Sequence, residues 1–110
     1  MKELMEKYKK AMAEVSNFNP EEFKKFVDFV NTVLKDGKLD LKTKELIAFG
    51  IAVALRCSYC IGIHTEKAFK AGATEEEIME AGMVAVLMGG GPALTYLTDL
   101  REAIKAFKEK

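Results

Sequence analysis

Residues 45–64 read ELIAFGIAVALRCSYCIGIH, and this stretch decides how the rest of the chain is interpreted. Residues 46–55 are apolar or small throughout, so a helix here has no polar face and is expected to be buried on all sides, at the centre of the domain or of an assembly. Both cysteines and the single histidine follow directly, as Cys57, Cys60 and His64. In a helix these three side chains stand at i, i+3 and i+7 and share one face.

Upstream of this stretch, helical spacing and capping residues predict two helices and the start of a third. Apolar residues recur at helical spacing over residues 3–16. Asn19 and Pro20 then suit the N-cap and first position of a second helix. Gly37 is expected to end that helix as its C′ residue. Asp40 can cap the third helix, from residue 41 to about 55.

Downstream, the same signals predict three more helices. Gly72 is expected as the C-terminal cap of the helix that carries His64, and Thr74 with Glu77 forms a capping box. Residues 89–92, Gly-Gly-Gly-Pro, are expected to break the following helix, so that Pro92 starts the last one. The chain is thus predicted to be all-α, with six helices in one domain over residues 1–110, and no strand or repeat.

Composition narrows the classes of function. Lys and Arg total 17, as do Asp and Glu, and the charges are interspersed, so nucleic acid is not an expected partner. Hydrophobic residues make up 49% of a chain that is short for so large an apolar content. We therefore expect some apolar surface to be buried between subunits of a homo-oligomer.

The sequence predicts a cytoplasmic protein with no membrane segment. The N-terminus opens directly into a charged periodic stretch, which is not typical of a signal peptide. The longest run without a charge, residues 81–98, is expected to be interrupted at residues 89–92 and so to be too short to cross a bilayer. A CxxC pair without a secretion signal indicates redox or metal chemistry before a structural disulfide.

A turn near Arg56 would bring a carboxylate to the motif. If the helices on either side of this turn run antiparallel, Glu45 and His64 lie within about one helical turn of each other in height. In one continuous helix, Glu45 and Cys57 would instead be separated by about 18 Å. Spacing alone therefore makes Glu45 and His64 a candidate proton relay.

The dithiol has a clear chemical use beside such a relay. A thiolate attacks a peroxide to give a sulfenic acid, which a neighbouring thiol converts to a disulfide. Proximity to His64 favours Cys60 as the nucleophile, whereas the positive helix N-terminus favours Cys57. Two other interpretations stay open: the cysteines pack as small hydrophobic side chains, or zinc binds Glu45, Cys57, Cys60 and His64, although three ligands on one helical face do not easily surround a tetrahedral ion.

The spacing Glu45-x11-Cys57-x2-Cys60-x3-His64 resembles that of alkylhydroperoxidase D (AhpD)-like proteins of the carboxymuconolactone decarboxylase superfamily. The flanking residues 42–47, 71–78 and 89–92 are also similar, and the resemblance covers roughly residues 20–97. The decarboxylase branch of the superfamily lacks the cysteine pair, so the lactone reaction is not expected.

The resemblance implies an all-helical trimer or hexamer that reduces hydroperoxides without a cofactor or metal. Cys60 corresponds to the peroxide-attacking cysteine, Cys57 to the resolving one, and Glu45 and His64 to the proton relay. A lipoyl-bearing protein or another dithiol supplies electrons. Tyr59 stands where the best-known members have a second histidine, and tyrosine is a poor base near neutral pH. Thiol–disulfide exchange without peroxide reduction is therefore the alternative.

Overall fold

The computed structural model describes residues 1–108, and over these residues the chain folds as six helices with no strand. This confirms the all-α prediction. The helices are α1 (Lys2–Phe18), α2 (Pro20–Val33), α3 (Leu41–Ala54), α4 (Ser58–Lys70), α5 (Glu75–Thr95) and α6 (Leu97–Phe107).

The core lies where α3 and α4 pack against α5 and α6. Its largest fully buried apolar side chains are Phe49, Ile61, Ile78, Leu100 and Ile104, at least one from each of these four helices. Burying side chains of this size contributes about 1.5–3 kcal/mol each, so this cluster is the main source of stability. It also fixes α3 against α4, the two helices that carry the predicted site residues.

Helix α3 is not buried on every side within one chain. Phe49 and Val53 are fully buried, but Ile47, Ile51 and Leu55 are about half exposed or more. The six helices leave this face uncovered because only α4 and α5 pack closely along α3. Its burial between subunits stays a prediction.

Most of the predicted helix starts are confirmed. Asp40 caps α3, and its carboxylate accepts a hydrogen bond of 2.8 Å from the Thr43 N–H. Thr74 and Glu77 form both hydrogen bonds of the capping box at the start of α5. Gly72 lies just after α4 with φ +97°, the left-handed conformation that favours glycine at this position.

The predicted end of α2 at Gly37 is wrong. The helix ends at Val33, and Gly37 does not adopt the positive φ that a C′ glycine provides. The ammonium of Lys44 donates to the carbonyl oxygens of Val33 at 2.8 Å and of Lys35 at 2.5 Å. A side chain from α3 thus satisfies the end of α2, which a local capping pattern does not reveal.

The predicted break at residues 89–92 is confirmed, and a new helical segment begins there, although the last helix α6 is separate from this segment. Helix α5 bends sharply at Gly90, where φ is +69° and ψ is −155°, and resumes for one more turn to Thr95. The final helix α6 begins only at Leu97. Pro92 is tolerated because it lies in the first turn after the bend, where its missing N–H removes no interior helix hydrogen bond.

Counted through the break at Gly90, helix α5 has the length and apolar composition that would allow it to cross a membrane, by those two criteria alone. It nevertheless packs against α3 and α6 as part of the bundle. Gly82, Ala85 and Ala93 on α5 are buried in these contacts. This packing is consistent with a soluble protein, and cytoplasmic localisation stays a prediction.

Candidate functional site

A left-handed turn at Arg56 creates the α3–α4 hairpin. Arg56 has φ +59°, the one positive φ of a non-glycine residue among residues 1–108. The Cys57 N–H donates to the Ala52 carbonyl at 3.0 Å, and the Arg56 N–H donates to Val53 at 3.1 Å. These two hydrogen bonds have the pattern of a Schellman motif, which ends α3 and reverses the chain. The antiparallel arrangement predicted from spacing is therefore confirmed.

Cys57 and Cys60 form a disulfide at the start of α4, with Cα atoms 5.2 Å apart. Cys57 is the N-cap residue, in an extended conformation, and its Sγ accepts a hydrogen bond of 3.2 Å from the Cys60 N–H. It therefore lies just outside the helix, so the expectation that three side chains share one face holds only for Cys60 and His64. The pair is close enough for a dithiol–disulfide cycle without movement of the backbone.

Glu45 and His64 are in direct contact, as predicted. Glu45 Oε1 lies 2.6 Å from His64 Nδ1. The Glu45 side chain is 2% exposed, whereas that of His64 is 23% exposed. The carboxylate is thus enclosed by protein, and the imidazole extends from it toward solvent.

This contact determines which ring nitrogen of His64 can act as a base. When Glu45 is ionised, its carboxylate only accepts hydrogen bonds, and Nδ1 then carries the proton that is donated to Glu45. In the neutral imidazole, Nε2 then has the free lone pair. Cys60 precedes His64 by four residues on α4, one helical turn away on the same face. The arrangement suits proton transfer between the Cys60 thiol and Nε2.

A cleft of about 650 Å³ gives access to Cys60 and His64. Helix α4 forms one wall, and α1 and α2 form the other. Apolar and aromatic side chains dominate the α1–α2 wall, among them Tyr8, Met12, Val15, Phe23, Phe26, Val27 and Val30. Sequence reasoning did not assign this wall to the site, because the apolar stripes of α1 and α2 are equally typical of helices that pack in a core.

Tyr59 is part of the same cleft. Its ring lies 6.0 Å from that of Tyr8 on α1, at an angle of 39°. This separation is within the range of favourable aromatic pairs. Tyr59 therefore joins α1 to α4 beside the disulfide and serves as a wall of the cleft.

A metal site has no geometric support. Within residues 1–108, no three His, Cys, Asp or Glu side chains are grouped so that they could hold an ion. The two sulfur atoms are bonded to each other, and Glu45 is bonded to His64.

Comparison with known proteins identifies relatives that match most of the chain. The model of the carboxymuconolactone decarboxylase family matches residues 20–103. A solved structure of a family member from Legionella pneumophila superposes with a TM-score of 0.93 at 39% identity, covering 98% of this chain and 96% of that one. A Thermotoga maritima family member, for which involvement in antioxidative response has been suggested, superposes with a TM-score of 0.82 at 31% identity, covering 94% and 88%.

Curated relatives come from distant organisms and are uncharacterised. A protein of the cox locus in Paracoccus denitrificans is 38% identical over 92 residues, 84% of this chain and 83% of its own length. A protein of the archaeon Methanocaldococcus jannaschii is 36% identical over 90 residues, covering 77% of this chain and 83% of its own length.

Proposed function

This chain belongs to the carboxymuconolactone decarboxylase family, and from that premise we propose that it is a thiol-dependent peroxidase that reduces hydroperoxides through a Cys57–Cys60 dithiol. The observation that carries the proposal is the 2.6 Å contact between Glu45 and His64, one helical turn from Cys60 on the wall of an open cleft. A CxxC pair alone would support disulfide exchange equally well. The oriented base is what suits proton transfer during peroxide cleavage.

In the first step His64 Nε2 takes the proton of the Cys60 thiol. The thiolate attacks the terminal oxygen of the hydroperoxide, the O–O bond breaks, and Cys60 becomes a sulfenic acid. The alkoxide that leaves receives a proton from the imidazolium of His64 and departs as the alcohol. Glu45 stabilises the imidazolium by its negative charge and keeps the ring oriented by its hydrogen bond to Nδ1. Among residues 1–108 this buried carboxylate has no other hydrogen-bond partner.

In the second step the Cys57 thiol attacks Sγ of the Cys60 sulfenic acid. The S–S bond forms, the S–O bond breaks, and water leaves with the Cys57 proton. The product is the disulfide between these two cysteines that the structure contains. A dithiol reductant, either a lipoyl-bearing protein or another dithiol, then returns two electrons and two protons.

Assembly into a homo-oligomer, as a trimer or hexamer, belongs to the same proposal. Large apolar side chains are exposed at the C-terminal end of α3 and on α5: Leu55 is 71% exposed, Leu87 78% and Met88 81%. Monomeric soluble proteins rarely expose contiguous apolar patches of more than a few hundred Å². Sedimentation at several protein concentrations tests this point, and a monomer at all of them would contradict it.

Peroxide consumption coupled to dihydrolipoamide tests the function. The wild-type protein should consume cumene hydroperoxide, and Cys60→Ser should reduce the rate to background. Cys57→Ser should still react once, leaving a sulfenic acid on Cys60 that dimedone traps. If the wild-type protein and Cys60→Ser are equally inert toward alkyl, aryl and hydrogen peroxides, the peroxidase proposal is wrong.

Disulfide exchange without peroxide reduction is the second candidate. Tyr59 favours it, because this ring packs against Tyr8 and adds no base at the site. Rapid reaction of the oxidised protein with a reduced lipoyl domain, together with no reaction of the reduced protein with peroxide, would establish this function instead.

A further inference from the structure

The start of α4 carries a polar contact that the proposed peroxide chemistry does not use. Ser58, the residue between Cys57 and Tyr59, donates a hydrogen bond from its Oγ to Asp99 Oδ2 at 2.5 Å. Asp99 lies in the first turn of α6, 41 residues further along the chain, and both residues are partly buried. The contact joins the first turn of α4 to the helix that packs beside it.

The contact gives the two cysteines different surroundings. Cys60 has His64 one turn away, with Glu45 behind it. Cys57 is followed at once by Ser58, whose hydroxyl is bonded to the Asp99 carboxylate. A neighbouring negative charge disfavours a thiolate, whereas a neighbouring base promotes its formation.

Several elements that meet at the start of α4 bring no acidic or basic side chain to it. The last turn of α3, over residues 51–55, is entirely apolar. Residues 81–98, which include the bend of α5, also carry no acidic or basic side chain. From α1, Tyr8 contributes a phenol, packed against Tyr59.

The charged groups at this end of α4 are therefore few. Arg56 precedes Cys57 and is exposed, so solvent screens its charge. On α6, Arg101 is already bound to Glu75 at 2.7 Å. Asp99 is the carboxylate that hydrogen-bonds to the first residue of α4.

From this geometry we propose that Asp99, acting through Ser58, is a positioning residue that keeps Cys57 the protonated, later-reacting thiol of the pair. The hydrogen bond holds the first turn of α4, and the carboxylate opposes the positive field of the helix N-terminus at Cys57. The thiolate therefore forms at Cys60. This assignment rests on the proposed dithiol cycle, but it concerns the thiols themselves and not the oxidant.

The test measures each thiol separately in the reduced protein, using pH-dependent alkylation with mass mapping and no peroxide. In Asp99→Asn the amide oxygen can still accept from Ser58, but the charge is gone. The midpoint of Cys57 alkylation should then move to lower pH, and the midpoint of Cys60 should move less. In a dithiothreitol buffer at pH 8, the equilibrium should shift toward the reduced protein by about three- to tenfold, because stabilising the thiolate stabilises the reduced form.

Two control variants distinguish an effect of the Asp99 charge on the thiols from an effect of the substitution on folding. Glu102→Gln removes an exposed carboxylate from the same helix. It should leave the pH midpoints of both thiols unchanged and the dithiol–disulfide equilibrium within about twofold of wild type. Asp99→Glu restores the charge and should return the Cys57 midpoint toward wild type. Urea midpoints of all variants report any loss of stability independently.

An unchanged Cys57 midpoint in folded Asp99→Asn overturns the proposal, as does an equal shift in Glu102→Gln. A loss of stability in Asp99→Asn without any change in the thiol titration would make the contact purely structural and would also overturn it. Because no peroxide is used, a protein that lacks peroxidase activity can still pass or fail this test. Failure of the peroxidase proposal is thereby distinguishable from failure of this one.

Discussion

Two helical hairpins border the cleft, and they are held in different ways. The α3–α4 hairpin is set into the core: Glu45, Phe49 and Val53 on α3, with Ile61 and Thr65 on α4, are at most 1% exposed. The α1–α2 hairpin lies on the surface, and Met5 is its one buried residue. Phe26 and Phe29 on α2 remain 61% and 64% exposed.

The two hairpins therefore have different tasks: one holds the reacting side chains in place, and the other lines the cleft. The proposed chemistry needs Glu45 in contact with His64 and Cys60 one helical turn from that histidine, and the buried hairpin supplies this geometry. The α1–α2 wall needs only to present an apolar surface to the cleft. Elements with few buried contacts open at low free-energy cost, so we expect this wall to move more readily than the site itself.

The largest expected effect compares one phenylalanine from each hairpin. Phe49→Ala removes a fully buried ring and should lower the free energy of unfolding by about 3–5 kcal/mol. Phe29→Ala removes a largely exposed ring and should change it by less than about 1 kcal/mol in the monomer. Urea unfolding followed by circular dichroism measures both values. If both variants lose the same free energy of unfolding, and the loss depends on protein concentration, then an oligomer buries the Phe29 ring.

A second comparison concerns charge at the site. Glu45→Gln keeps the size of the side chain but removes the carboxylate that orients His64, and should slow the reaction of Cys60 with peroxide about 100-fold. Glu66→Gln, on the same helix as His64, is the matched control and should leave the rate within about twofold. Single-turnover kinetics of the reduced protein measures the rate. A loss of less than about threefold in Glu45→Gln would remove this carboxylate from the mechanism.

A third comparison concerns the helix that supports the α3–α4 hairpin. In α5, Gly90 adopts φ +69° and ψ −155°, a conformation almost restricted to glycine, so Gly90→Ala should cost about 1–3 kcal/mol of stability. Gly91 has no positive φ, and a Cβ at this position would meet no atom within 4 Å. Gly91→Ala should therefore be neutral or slightly stabilising. Similar losses in both variants would mean that the bend does not depend on the Gly90 conformation.

The smallest expected effect contrasts the N-caps of α2 and α3. The Asp40 side chain accepts from Thr43, whereas the Asn19 side chain makes no capping hydrogen bond. Asp40→Ala should lower the urea midpoint at pH 7, and Asn19→Ala should lower it less. Equal shifts at pH 7 would show that the Asp40 side chain adds nothing beyond its backbone position.

The Asp40 effect should also depend on pH. Hydrogen bonding by the Thr43 side chain and backbone N–H holds the pKa of Asp40 below its ordinary 3.8. A carboxyl group with a lower pKa in the folded state adds stability above pH 3.8, and this contribution is lost as the pH falls below that value. The difference between wild type and Asp40→Ala should therefore shrink between pH 5 and pH 2. A constant difference would show that the charge of Asp40 plays no part.

Much of the site was predictable because its members are joined by short, regular segments. Helical rise and one turn near Arg56 were sufficient to place Glu45 beside His64. The family spacing assigned roles to Cys57 and Cys60, and those roles stay proposals. The capping box at Thr74 was predictable for the same reason, since its hydrogen bonds span only three residues.

The failures involve partners that are distant in sequence or a conformation that has no sequence pattern of its own. Lys44 satisfies the end of α2 from the following helix, so Gly37 was the wrong stop signal. Three glycines in a row predicted the break in α5 but not which of them takes the non-helical conformation. Asp99 reaches Ser58 only because α4 and α6 pack together.

The sequence by itself determined the helical class, the α3–α4 reversal and the Glu45–His64 pair, because helical periodicity and rise act over neighbouring residues. Only the tertiary structure decided which apolar faces are covered, how α1 and α2 form the second wall of the cleft, and that a carboxylate from α6 lies at the start of α4. Such features depend on contacts between helices whose order in the chain does not specify their distance in space.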